Sequence, residues 1–422
     1  MISRIKIWHL ISLFVLVLYI FRFSEILEIW YYFILVTGSL PSGEFSASTL
    51  LGFEHIDLIF QSLMLIVIPI CLMVFKKKFL FLNKKINVTV SFITLITFAF
   101  IFSSLITFEN PEQTNNIGMT RLLPPGSSVE YITLKVSDNE KTDVLGLNKK
   151  LSFLNEFNSY VFFDSMIVSD KIVVFQNSKT KEFSKNEIET VGGKPVSGSK
   201  LFLLGTDEYG RDILVRLIYG TRISFLIGIF AVLISLILGL VFGFIAANAG
   251  GITDTIISRT ADLFLAFPII YFVVLILALF GNSVISVILV LGLSGWMSLY
   301  KIVRAEILGI KTKDYFITAN MLGLSKSKLL LKEILPVIMV PVTVNIVFLF
   351  GNVILSESAL SYLGLSISAE YPSWGKMIES GQEYMHNAWW LIFFPGIALV
   401  LTLLAANSFG RKINSYFNPR IN

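Results

Sequence analysis

Long apolar runs alternate with charged intervals along the chain, and eight of the runs are long enough to cross a bilayer. They cover residues 5–23, 56–75, 88–107, 223–247, 263–280, 284–300, 336–356 and 389–409. A crossing helix needs about 20 mostly apolar residues, because lipid offers the backbone no hydrogen-bond partner and the helix satisfies its own. Residues 263–300 carry no charge but are too long for one crossing, and Gly281, Asn282 and Ser283 divide them into a hairpin. Residues 26–36 are apolar and aromatic-rich but short, which fits an interfacial helix or a partial span. Residues 109–200 are polar; within them 129–136 alternate in the strand manner and 171–175 read as another strand. They predict a small β-rich or α+β domain, with a loosely folded spacer as the alternative because the periodicity is weak.

The positions of the charges then orient the spans. Lys76, Lys77, Lys78, Lys84 and Lys85 follow the second run with no acid among them, whereas residues 24–57 hold five acids and no lysine or arginine. The loop 301–333 has seven basic residues against three acidic ones, and the tail has Arg411, Lys412 and Arg420 without an acid. An even number of crossings with both termini in the cytoplasm satisfies all these biases and puts 109–200 outside. Arg4 and Lys6 precede the first run as in a signal peptide, but no small-x-small cleavage site follows, so an uncleaved anchor is expected.

Composition agrees with a membrane protein and excludes little else. Hydrophobic residues make up 55% of the 422, charged ones 15%, and the mean hydropathy is +0.76, more apolar surface than a soluble core of this length hides. Cys71 is the single cysteine, and His9, His55 and His386 are scattered without ligand spacing, so neither a disulfide nor a metal site is expected. The net charge of +5 does not point to nucleic acid, and the 12 acids and 11 bases of residues 109–200 form no one-signed patch. No Gly-x4-Gly-Lys-Ser/Thr loop is present to cradle phosphates, so no cofactor is expected on this chain. The core runs lack charge, which argues against a proton or sodium relay.

Two polar segments stand out. Gly205, Thr206, Asp207, Glu208, Tyr209, Gly210, Arg211 and Asp212 form a turn-rich cluster, followed by Arg216, Gly220 and Arg222. Residues 212–220 read as a short helix lying on the outer membrane face; a solvated turn with snorkelling arginines explains the same spacing. In the loop 301–335, Asp314 opens a segment whose Tyr315, Thr318, Ala319 and Leu322 recur at helical spacing. Gly323 is placed to end that helix, Ser325 to cap the next, and Pro336 to interrupt where the following span begins. An ordinary amphipathic connector is the plain alternative.

Together these segments resemble the permease subunits of binding-protein-dependent ABC importers, in particular the C-type subunit of the dipeptide, oligopeptide and nickel branch. The resemblance covers roughly residues 88–420 without the polar insertion. The Gly-Thr-Asp-x-x-Gly-Arg-Asp signature is whole at residues 205–212, and Ala266-Phe267-Pro268, Glu357, residues 360–365, Pro372-Ser373-Trp374-Gly375, Phe394-Pro395-Gly396 and Asn418-Pro419-Arg420 follow in the family's order. The family's cytoplasmic Glu-Ala-Ala-x3-Gly-x9-Ile-x-Leu-Pro loop falls on Ile317, Thr318, Ala319, Gly323, Glu333, Leu335 and Pro336, with the glutamate and first alanine replaced. The resemblance implies a type I core of six transmembrane helices in an otherwise all-α polytopic protein of the bacterial inner membrane. It implies a non-catalytic subunit that couples through Asp314, Thr318, Ala319, Gly323, Leu335 and Pro336 to two ATPase subunits that bind the ATP. A homologous permease subunit and an extracytoplasmic solute-binding protein are the other implied partners, and peptide is the implied cargo, with nickel as the alternative.

The expected division is 1–87 as an extra two-span region, 88–108 as the first core helix, 109–203 as the extracytoplasmic insertion, and 204–422 as the five-span remainder with its coupling loop 301–335. A stand-alone channel or secondary transporter needs inverted repeats that the sequence lacks, and a membrane enzyme needs a catalytic constellation that is also lacking.

Overall fold

The computed structural model describes residues 6–39, 53–75, 88–107, 109–112, 114, 116–134, 160–169, 171–177, 179–184, 186–188, 190–191, 194–325, 328–365 and 372–417. The lysine-rich loop containing Lys76 to Lys85, the end of the expected strand at Val136, and Asn418, Pro419 and Arg420 lie outside them. The chain divides into two compact units, Met1–Arg222 with Ser380–Phe394, and Ile223–Glu379 with Pro395–Asn422.

In the first unit α1 (Ile7–Phe21) and α2 (Phe23–Ser39) meet at Arg22 and bend by 75°. The short aromatic segment is therefore the second limb of a bent pair. Helices α3 (Phe53–Phe75) and α4 (Val88–Thr107) complete the N-terminal bundle. Their shared core comprises Val15, Leu18, Ile26, Ile29, Tyr32, Leu58, Leu65, Phe102 and Leu105. Phe102 has non-helical dihedrals (φ −113°, ψ 24°) inside α4.

The insertion begins with a single helical turn, α5 (Ile117–Thr120), and continues in antiparallel strands. β1 (Ser127–Thr133) lies between β2 (Tyr160–Phe163) and β8 (Ser197–Phe202). A second sheet orders β3 (Ser165–Val168), β4 (Lys171–Gln176) and β5 (Lys179–Ser184), and β6 (Thr190–Val191) pairs with β7 (Lys194–Pro195). Alternation puts Ile132, Phe163, Ile172 and Val174 inward with Ile188, so the described part of the insertion has its own core. Burial also pushes the Tyr160 hydroxyl up to about 12.

The short helix expected over 212–220 is not separate: α6 runs from Ile213 to Ala249 without a break. Gly220 costs a helix only about 1 kcal/mol, and it is buried there beside Thr221, whose hydroxyl donates back to the Leu217 carbonyl at 3.0 Å. A lone glycine with no proline behind it does not stop a helix.

The second unit corrects the expected span 263–280. It consists of two limbs, α7 (Gly251–Ala266) and α8 (Ile269–Phe280), bent by 92°. Pro268 has no N–H and disfavours helical dihedrals at Phe267, which sits extended at φ −83°, ψ 127°. α9 (Val284–Lys311) starts where Ser283 accepts from the Ser286 amide at 3.1 Å, so the hairpin turn at Gly281 to Ser283 is present. After α10 (Asp314–Met321), a π-helical turn (Leu329–Ile334) passes directly into α11 (Leu335–Tyr362). Pro336 therefore does not interrupt; the preceding turn is widened, and the proline sits in the first turn of α11, where a missing N–H costs little. α12 (Trp374–Gly381) and α13 (Trp390–Phe417) follow. Six described helices are long and apolar enough to span a membrane, and the two bent pairs pass the same test jointly.

α6 and α9 touch through small residues. A Cβ on Gly239 would lie 2.6 Å from the Leu299 side chain, one on Gly292 would lie 2.8 Å from Ile234, and Ser235 donates to the Gly292 carbonyl at 2.7 Å. Close backbone approach through glycine is how helices pack where lipid supplies no hydrophobic drive. Gly239→Val should lower stability by about 1–3 kcal/mol through overpacking, read as a lower melting midpoint in detergent; an unchanged midpoint would show the crossing to be slack.

Candidate functional site

The signature residues fold into one closed turn. The Thr206–Asp212 bridge, Asp207 N–H to the Arg211 carbonyl (3.1 Å) and Ile213 N–H to the Gly205 carbonyl (3.1 Å) bring its ends together. Gly205 has φ +82°, and a Cβ there would lie 2.5 Å from the Leu123 carbonyl oxygen and 2.9 Å from Trp390 Nε1, so no other residue fits. Thr206 locks the turn to the start of the insertion: its hydroxyl donates to the Thr120 carbonyl and accepts from Leu123 N–H at 2.8 Å. Trp390 Nε1 donates to the Thr206 carbonyl at 3.1 Å. Gly210 closes the far side, its N–H donating to the Asp207 carbonyl at 3.0 Å. Asp212 caps α6, accepting from Leu214 N–H at 2.8 Å, and burial raises its carboxyl above the usual range against the pull of Lys200.

Against the turn lies a quartet of charges, three of them buried and the fourth, Glu112, half-buried. Asp207 Oδ1 accepts from the Tyr209 and Arg211 amides, both at 2.9 Å, and Oδ2 accepts from Arg211 Nε at 2.7 Å. Arg216 Nε stands 3.7 Å from the same oxygen. Glu112 closes the ring, pairing with Arg211 and with Arg216 Nη1 at 2.7 Å. Two carboxylates thus neutralise two guanidiniums, which makes the burial of Asp207, Arg211 and Arg216 tolerable. Glu208 beside them is pushed up by its own burial, and Oε2 has no partner among the described residues. The cluster contains no acid–base pair poised over an open cleft; its geometry fits a fixed strut.

Arg222, the last residue of the signature, is not in the quartet. It makes a bidentate pair with Asp57 of α3, both contacts at 2.5 Å. Glu112 and Asp57 were invisible as partners in the sequence, since each lies far along the chain from its arginine. The only local signal was an Asp57–Gln61 i, i+4 pair in an apolar helix, where polar groups are costly and therefore usually paired.

Residues 301–335, expected as a loop, hold a second candidate site; the first eleven of them extend α9 past its expected end, to Lys311. Asp314 opens α10, Thr318 lies on its exposed side, and Ala319 is half-buried. Gly323 has φ +73°; its N–H donates to the Asn320 carbonyl (3.1 Å) and Leu324 N–H to the Ala319 carbonyl (3.4 Å), the paired bonds of a Schellman ending. Ile317, Met321 and Leu322 are exposed, with Met321 81% accessible. Leu335 and Pro336 follow the π turn and lie at the start of α11, with Leu335 packed against the same apolar cluster as Phe316 of α10. A third polar group is enclosed in α11, which continues past the expected end of its span: buried Glu357 accepts from Ser373 (2.7 Å) and Ser361 (3.2 Å). Ser373 also accepts from Lys376 N–H at 3.1 Å, so Glu357 holds the N-terminus of α12 onto α11.

The arrangement of a sealed turn, a long bundle and an exposed helix–turn between spans has relatives. The sequence profile for "Binding-protein-dependent transport system inner membrane component" matches residues 239–422. The di/tripeptide transport system permease protein of Pseudomonas aeruginosa is 34% identical over 224 residues, 53% of this chain and 74% of the relative. Oligopeptide transport system permease proteins of Haemophilus influenzae (35% identical, 51% of this chain, 70% of the relative) and Bacillus subtilis (34%, 54% and 74%) are similar to it as well. The chain belongs to this permease family. A solved amino acid ABC transporter matches 49% of this chain and 94% of its own at 18% identity and a TM-score of 0.38, too loose to place any residue. The end of α6, the later helices and residues 301–335 fall inside the profile match; the four N-terminal helices, the insertion, the signature turn and most of α6 precede it.

Proposed function

We propose that this permease forms, with a homologous permease subunit, the path by which di- and oligopeptides cross the inner membrane. The observation that carries the cargo is the 33–36% identity to permeases named for di/tripeptide, dipeptide and oligopeptide transport, spread over about three quarters of their length. Peptides arrive on an extracytoplasmic solute-binding protein, and two ATPase subunits bind and hydrolyse ATP. The insertion 109–203 faces that binding protein and both termini face the cytoplasm, as the lysine and arginine bias of the loops supports. Helix α10 inserts into a groove on an ATPase subunit through its exposed apolar residues and the Gly323 turn. Because Ile317 stands where the family has glutamate, this docking rests on shape and on Lys311, Lys313, Lys328 and Lys332 around it. ATP binding then shifts the population between inward-open and outward-open states through its differential hold on α10.

The test is uptake by the assembled transporter in cells lacking other peptide importers. Labelled di- and tripeptides are expected to accumulate only with active ATPase subunits and the binding protein present. Nickel accumulation without peptide uptake would overturn the cargo, and uptake that survives inactivation of the ATPases would overturn the energy source.

A further inference from the structure

The N-terminal helices lie outside the family match, and nothing in the transport cycle above uses them. They nevertheless supply four side chains, of Arg22, Asp57, Gln61 and Ser104, that close on the end of α4. Asp57 of α3 takes both arms of Arg222 at 2.5 Å, and its Oδ2 also accepts from Gln61 Nε2 (2.8 Å) and Ser104 Oγ (2.7 Å). Gln61 in turn accepts from the Leu105 amide at 3.1 Å, a donor that the non-helical turn at Phe102 lets leave the α4 ladder. Arg22, at the bend between α1 and α2, donates to the Leu105 carbonyl (3.1 Å) and the Ile106 carbonyl (3.2 Å). The last carbonyls of a helix have no partner within it, so the bend is placed where α4 needs donors. An arginine and an aspartate in lipid-facing helices are each costly alone and persist where paired and fully hydrogen-bonded.

The location gives this clasp its meaning. α4 leads into the insertion and α6 leads out of it, so Ser104, Leu105 and Arg222 stand at the insertion's two roots. Glu109 and Lys200, paired at 2.7 Å, tie the same two roots one step further on. We propose that Asp57 is a positioning residue for transport: by fixing Arg222 to the end of α4, it holds both roots of the insertion together and sets how the insertion meets its partner. Arg222 of the signature thus acts through an acid that lies outside the family match.

The inference rests on the permease reading only for its transport readout. The experiment compares full-length D57N, D57E, R222Q and the D57N/R222Q double variant in the assembled transporter. Backbone amide exchange over residues 102–107 and 205–216 reports the clasp, and peptide uptake against binding-protein concentration reports its use. D57N is expected to insert at normal levels, to exchange faster at both roots, and to raise the half-saturating binding-protein concentration about tenfold, with the maximal rate within about twofold. D57E keeps the carboxylate and restores most of both readouts, and the double variant is no worse than D57N, as coupled partners require. Unchanged exchange in D57N, equal defects in D57N and D57E, or a D57N chain that never accumulates would each overturn the proposal, the last by making Asp57 a folding determinant. If the cargo reading alone is wrong, wild type and variants all fail to take up peptide while the exchange difference between D57N and D57E remains.

Discussion

Glu112→Ala should destabilise the chain by about 3 kcal/mol, the lower end of what removing one partner of a buried ion pair costs. The lower end applies because Glu112 itself is 27% exposed, whereas Arg211 and Arg216 are 10% and 3% exposed. Without Glu112, Arg216 keeps the 3.7 Å approach to Asp207 and a 3.3 Å bond to the Pro111 carbonyl, and Arg211 keeps Asp207 and its place over the Tyr209 ring. Asp207 is then the one carboxylate bonded to the two buried guanidiniums, with Glu208 nearby but making no hydrogen bond to them among the described residues, and water has little access to the excess charge. The melting midpoint in detergent should fall by several degrees and the amount of chain in membranes should drop with it. Glu112→Gln, which retains an acceptor but not the charge, should fall between. Asp207→Asn and Arg211→Gln should combine less than additively, because either one already opens the ring; full additivity, or an unshifted midpoint for Glu112→Ala, would dissolve the strut.

That quartet also shows what a linear reading reaches. Apolar run length is a local property: six of the runs fall on described helices long and apolar enough to cross, and the other two fall in bent pairs that pass the same test only jointly. The bends themselves were half legible: Pro268 marks one, but Arg22 marks the other only through carbonyls on α4, more than eighty positions away. Gly220 was misread because a glycine's helix cost is small beside the packing around it, and packing is not written in the neighbouring residues. The signature turn was legible as a turn from its glycines and aspartates. Its charge balance was not, since Glu112 and Asp57 sit beyond long intervening segments and give no spacing signal. The insertion's alternation exposed β1 and β4, yet its other strands are short or mostly exposed, where a period of two has little to show.

Gly323→Trp should reduce uptake roughly 100-fold, near the upper range of coupling between sites, while leaving insertion and abundance intact. A Cβ added at Gly323 meets no atom within 4 Å, so the backbone there leaves room for a side chain to start outward. At φ +73° any L-residue costs about 1–2 kcal/mol, a strain confined to an exposed ending of α10 with no buried residue in the helix. What the indole does is stand beside Met321 and Leu322 on the face proposed to enter the ATPase groove. With Ile317 rather than an acid at that position, no ion pair there compensates for a poor fit, so the proposed docking rests on shape. ATP hydrolysis by the partner subunits should therefore persist but lose its dependence on loaded binding protein. Gly323→Ala separates the two contributions: it imposes the backbone strain without the bulk, and uptake should stay within about fivefold of wild type, the lower limit of that same coupling range. Equal loss in both variants would assign the effect to the Schellman turn alone, and normal transport by Gly323→Trp would remove α10 from the coupling path.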